Sequence, residues 1–99
     1  MKNGAPVALV RRMHYISHAT RVMIVPTVKA SGTWKITVYA DDHNPPHFHI
    51  LTAEHEVLVL ISNLQVIAGS MKASVLREAR AWAAQNRAEI EDAWTRYNG

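Results

Sequence analysis

His47-Phe48-His49-Ile50-Leu51-Thr52-Ala53-Glu54-His55-Glu56-Val57-Leu58-Val59-Leu60-Ile61 is the stretch on which the fold turns. Two β-prone runs, His47–Thr52 and His55–Ile61, flank the small polar pair Ala53-Glu54, the pattern of a hairpin with a tight turn. Side chains alternate across a strand, so His47 and His49 share one face while Phe48 and Ile50 share the other. The second run is apolar on both faces, with Val57, Val59 and Ile61 in one row and Leu58 and Leu60 in the other. A strand of this kind is usually covered on both sides. A single helix covers one side of a small sheet, so Leu58 and Leu60 become candidate partner contacts, unless an N-terminal arm covers them.

Working outward, Trp34–Ala40 alternates with Trp34, Ile36 and Val38 on one face, and Asp41–Pro46 is a loop. Ser31-Gly32-Thr33 is a turn. Ile24–Lys29 reads as a short strand that Pro26 confines to an edge or a strand start. Gln65–Ile67 is an optional further short strand before Gly69. Beyond it the period changes to 3.6: Leu76, Ala79, Ala83, Ile90, Trp94 and Tyr97 fall on one helical stripe. Asn86 and Arg87 interrupt that stripe and predict a kink or break there, and Gly69-Ser70 is placed to cap the start. Trp82, about 120° round from Trp94 on the helix, is a third candidate for a partner contact. The expected fold is α+β: a small, mostly antiparallel sheet of three to four strands packed against a long C-terminal helix, kinked near Asn86.

The chain's 99 residues suffice for one domain, and 48% hydrophobic content suits a folded one. It has no cysteine, which excludes disulfides, thiolate metal sites and cysteine nucleophiles. Any divalent metal must be held by imidazole, carboxylate or carbonyl oxygen. The net charge of +3 is concentrated at one end. Residues 1–22 carry Lys2, Arg11, Arg12 and Arg21 and no acid, whereas residues 23–99 carry seven basic and eight acidic side chains. Residues 1–22 therefore read as a basic N-terminal extension, favoured as a solvated arm and offering a route to nucleic acid. Residues 23–99 read as the single α+β domain, and Met23 would fit an alternative start. His14 and His18 would share a helix face, a weak metal pattern best read as incidental. No apolar run approaches the ~20 residues that span a bilayer, so the expected location is cytoplasmic with no membrane partner.

Asp41-Asp42-His43-Asn44-Pro45-Pro46-His47-Phe48-His49 concentrates the chemistry. His47 and His49 stand roughly 6.5–7 Å apart at Cα on one face, and the two prolines stiffen the approach. Such a loop can bring His43 and an aspartate back over that face. Three readings stay open. One is a divalent metal held by His43, His47, His49 and Asp42. Another is metal-free acid–base chemistry, with His47, His49 and Asp42 as the candidate catalytic groups. The third is structural, with aspartates capping turn amides and histidines hydrogen-bonded or packed on Trp34 and Tyr39. Spacing by itself favours the structural reading, because H-x3-H-x-H is no established ligand signature. Neither a G-x-S-x-G nucleophile elbow nor a phosphate-binding glycine loop occurs.

The segment D-D-H-N-P-P-H-F-H-I at Asp41–Ile50 resembles the hallmark of a bacterial family of unknown function, numbered 4160. Val25-Pro26-Thr27-Val28 resembles that family's opening, and Glu56–Ile61 its E-a-v-I-x-I strand. Leu64–Gly69, followed by a helix carrying Trp82, Asn86, Ile90 and Trp94, resembles its C-terminal pattern. The resemblance covers about residues 24–98. It implies a small compact protein of bacteria or mobile elements, often encoded beside another small domain in a toxin–antitoxin-like arrangement. It carries no catalytic residues. Residues 1–22 lie outside it, and Leu60 stands where the family often has a polar residue. The expected function is thus an interaction protein, through a protein partner or self-association, such as one half of a toxin–antitoxin-like pair. The alternative is a small histidine-dependent enzyme, metal-assisted or not, such as a nuclease acting through the histidine loop.

Overall fold

A computed structural model describes residues 27–99. Its strands are β1 (Thr27–Ala30), β2 (Lys35–Thr37), β3 (His47–Leu51), β4 (Glu56–Leu60) and β5 (Val66–Gly69), followed by helices α1 (Ala73–Gln85) and α2 (Arg87–Asn98). The strands form one antiparallel meander in the order β1-β2-β3-β4-β5. The expected α+β class is therefore present, with five strands where three to four were expected, because both short outer strands, β1 and β5, pair into the sheet, β5 across an irregularity at Leu58–Val59. The expectations for residues 1–22, including His14 and His18, for Met23 and for residues 24–26 lie outside the described residues.

The β3–β4 hairpin closes where the sequence predicts. The Thr52 amide donates to the His55 carbonyl at 2.9 Å, and the Thr52 hydroxyl accepts from the His55 amide at 3.0 Å. A turn centred on Ala53-Glu54 pairs His49 with Leu58, and His47 with Leu60. Every side chain on the hairpin is thereby assigned to a face. On one face Ile36, Phe48, Ile50, Val57 and Val59 join Ala79, Ala83, Ile90 and Trp94 in a continuous core. Leu76 packs against that core half-buried, as does Trp82, with the Lys29 ammonium 5.9 Å above its ring.

Two expectations for the C-terminal segment need correction. The C-terminal segment is two helices, not one long one. Asn86 leaves helical geometry at φ −132°, and its side-chain Nδ2 donates to the Trp82 carbonyl at 2.9 Å. That carbonyl would otherwise serve the helix ladder, a competition typical of Asn. The Asn86 carbonyl then accepts from the Glu89 and Ile90 amides at 3.1 and 3.3 Å and starts α2. Ser70 does not cap α1, which begins later, at Ala73, without a side-chain cap. Gly69, at φ 82°, instead turns the chain out of β5, a geometry that favours glycine.

The expected strand Trp34–Ala40 shortens to Lys35–Thr37, although Trp34, Ile36 and Val38 all reach the core. Leu58 is only 2% exposed, so the uncovered row expected at Leu58 and Leu60 is reduced to the half-buried Leu60. Among the described residues, no helix is long and apolar enough to cross a membrane.

Candidate metal centre

The second face of the hairpin is largely buried as well, but it is mixed: His47, His49 and Glu56 stand beside Leu58 and Leu60. His47 is 4% exposed and His49 1%, while the Asp42 side chain is 1% exposed. Burying such groups is costly unless each is paired, and the pairing here follows one plan. His47 Nδ1 lies 2.9 Å from the Pro45 carbonyl oxygen. A carbonyl only accepts, so that nitrogen donates. His49 Nδ1 lies 2.8 Å from Glu56 Oε2 and donates to the carboxylate. With both Nδ1 atoms engaged, both Nε2 atoms turn toward Asp42, and Oδ2 lies 2.8 Å from His47 Nε2 and 3.3 Å from His49 Nε2.

Asp42 is itself fixed. Its Oδ1 accepts from the His43 amide at 2.8 Å, and its own amide donates to Asn98 Oδ1 at 2.6 Å. Asp41, at φ 58°, makes the reversal that swings Asp42 over the sheet, and the Asn44–Pro45 peptide is cis. Aromatic rings fill the surroundings. The Tyr39 ring meets His49 edge-on with centroids 4.5 Å apart, and Trp94 lies 5.4 Å from His47.

The three groups have the geometry of a candidate ligand set. One donor atom each from Asp42, His47 and His49 lies within 4.8 Å of the other two. A tetrahedral metal with bonds of about 2.1 Å holds its ligand atoms roughly 3.4 Å apart, so small side-chain shifts suffice. Metal-bound histidines commonly donate the opposite ring N–H to a carboxylate or backbone carbonyl, which sets the tautomer and orientation. Glu56 and the Pro45 carbonyl occupy those positions here. His47 Nε2, although close to Asp42, is off the hydrogen-bonding direction and has no well-aligned partner.

The Asp42 carboxylate faces the Nε2 atoms of both histidines, an arrangement whose negative charge either a metal ion or a proton on the rings would balance. Without a metal, a proton can take that role. Burial pushes the His47 pKa down, but contact with Asp42, its negative charge and the Pro45 carbonyl push it up further, leaving it above the ordinary imidazole value.

The sequence-derived candidates separate on this geometry. Asp42, His47 and His49 come together; His43 is exposed and stands outside the cluster, as does the exposed Asp41. His43 instead lines a cavity of about 240 Å³ with Asp42, Asn44, Pro45, His47, Leu58, Ile67 and Ala68. His49, although on the same strand face as His47, lies outside that cavity's lining. Of the two rings on which the structural reading has the histidines pack, Tyr39 meets His49, and His47 lies instead against Trp94.

Glu56 and Asn98 went unmarked in the sequence reading. Glu56 was within reach, since a turn at Ala53-Glu54 pairs it with Leu51 on the histidine face. Asn98 carries no local signal, being 56 residues from its partner Asp42.

A family model described as "Domain of unknown function (DUF4160)" matches residues 33–95. The chain belongs to this family. The DUF4160 match contains Asp42, His47, His49 and Glu56 and ends before Asn98. No curated protein and no solved structure matches the chain.

Proposed function

We propose that this DUF4160 protein binds a divalent transition metal through His47 Nε2, His49 Nε2 and an Asp42 carboxylate oxygen, and acts as a small metal-dependent enzyme. The observation that carries this reading is the convergence of two buried imidazoles on one carboxylate, with both outer ring nitrogens anchored. Two histidines and one carboxylate suit Zn²⁺ or Fe²⁺ and leave coordination positions open. A bound metal would act there as a Lewis acid on an incoming ligand. The cavity beside Asp42 and His47 is the approach to those positions, with His43 and Asn44 on its polar side and Leu58, Ile67 and Ala68 on its apolar side.

Calorimetric titration of the untagged protein with zinc and nickel tests the reading. One tight equivalent that disappears in His47→Ala supports it, and equal, weak binding by both ends it. His43→Ala separates an open centre from a closed structural one. Unchanged affinity leaves a position free, whereas a large loss makes His43 the fourth ligand.

An interaction role, as one half of a toxin–antitoxin-like pair, is the second reading. The partly exposed Leu60, at the end of β4, is the side chain that would serve a partner contact. Co-purification with the product of a neighbouring gene, abolished by Leu60→Asp, would favour it.

A further inference from the structure

The metal reading needs Asp42 to be held over the histidines before any ion arrives, and the residues that hold it come from the opposite end of the chain. Three hydrogen bonds join the loop to the last turn of α2. Asn98 Oδ1 accepts from the Asp42 amide at 2.6 Å, Asn98 Nδ2 donates to the Tyr39 carbonyl at 2.9 Å, and the Tyr97 carbonyl accepts from the Asp41 amide at 3.4 Å. Both halves of the Asn98 amide are therefore used, one on each side of the reversal at Asp41. The last carbonyls of a helix lack partners within it, and here the Tyr97 carbonyl is served by the loop.

The same helix also touches the other side of the site, through Trp94 against His47. Asp42 thus takes its backbone position from Asn98 and its carboxylate direction from the His43 amide. Neither follows from the β3–β4 hairpin, which places only the two imidazoles.

We propose that Asn98 is the positioning residue of the metal centre and that metal occupancy is linked to docking of the last turn of α2. This inference rests on the metal reading above. By linkage, whatever docking contributes to metal affinity, the metal returns to docking.

The test uses the full chain with Zn²⁺ as the probe, comparing native protein, Asn98→Ala and Asn98→Asp by calorimetry, thermal melting and amide hydrogen exchange. Groups that orient metal ligands typically change affinity by about 10–100-fold, and a loss in that range is expected for Asn98→Ala. Asn98→Asp keeps the acceptor for the Asp42 amide and should fall between it and the native protein, which also guards against a poorly folding alanine variant. Zinc should slow exchange of the Asp41 and Asp42 amides in the native protein and should not do so in Asn98→Ala.

A variant that melts lower without metal yet binds zinc as tightly as the native protein would make Asn98 a mere helix-end tie and overturn the proposal. Absence of zinc binding by the native protein would refute the metal reading itself, and the positioning role would fall with it.

Discussion

The two faces of the β3–β4 hairpin come from the same strands, one residue out of step, and both are buried. On one, Phe48, Ile50, Val57 and Val59 pack into the helix-covered core. On the other, His47 and His49 meet Asp42 and Glu56. Burial does opposite things on the two sides. Removing apolar surface from water stabilises the fold by about 1.5–3 kcal/mol for each large side chain. Removing imidazoles and carboxylates from water costs free energy that their mutual contacts offset only in part. An apolar face of equal size would hold this sheet together at least as well. The histidine side therefore carries a cost in stability that the apolar side does not, a cost that the proposed metal role would account for.

The comparison can be broken from either side. The largest effect belongs to the apolar face: Phe48→Ala should lower stability by about 3–5 kcal/mol, read by chemical denaturation, while the folded fraction still binds zinc. Asp42→Asn should do the reverse. Zinc affinity should drop by roughly 100-fold or more, beyond what ligand-orienting groups contribute, with a stability change of about 1 kcal/mol or less in the metal-free protein. A large stability loss with intact metal binding would place Asp42 among the structural groups instead. Glu56→Gln keeps an acceptor for His49 Nδ1 but removes the charge, so a loss near the lower end, about tenfold, is expected by calorimetry.

The smallest effect is on pH dependence. The folded pKa of His47 lies above 6.5, raised by Asp42 and the Pro45 carbonyl against the opposing effect of burial. Its contribution to metal-free stability is therefore fully present below pH 6.5 and is lost as pH rises through the folded value. Urea unfolding across that interval should show the decline, and His47→Ala should flatten it. Zinc competes with the same proton, so the loaded protein should gain stability over the range in which the metal-free protein loses it.

The two faces also differed in how far the sequence disclosed them. Alternation and one turn at Ala53-Glu54 were enough for the apolar face, because hydrophobic burial needs only period and register. The same rules placed His47 and His49 together and, followed one step further, would have placed Glu56 beside them. The loop obeys no such period. Asp41, Asp42 and His43 are adjacent and chemically alike in the sequence, yet Asp42 alone of the three is turned inward. What selects it is a left-handed backbone at Asp41 and a side chain 56 residues away. The break at Asn86 was visible as an interrupted stripe. Its outcome as two helices depended on where the Asn86 side chain found a carbonyl.

The central claim is that both imidazoles present Nε2 to one cation while Nδ1 stays protonated on Pro45 and Glu56. Long-range nitrogen–proton NMR correlations of the imidazole rings, recorded during a zinc titration, read each ring nitrogen separately. The account predicts saturation at one equivalent, with Nε2 of His47 and His49 moving together to metal-bound positions and both Nδ1–H signals retained. Ring nitrogens of His47 and His49 unmoved at saturating zinc, or shifts confined to exposed histidines such as His43 and His55, would contradict it.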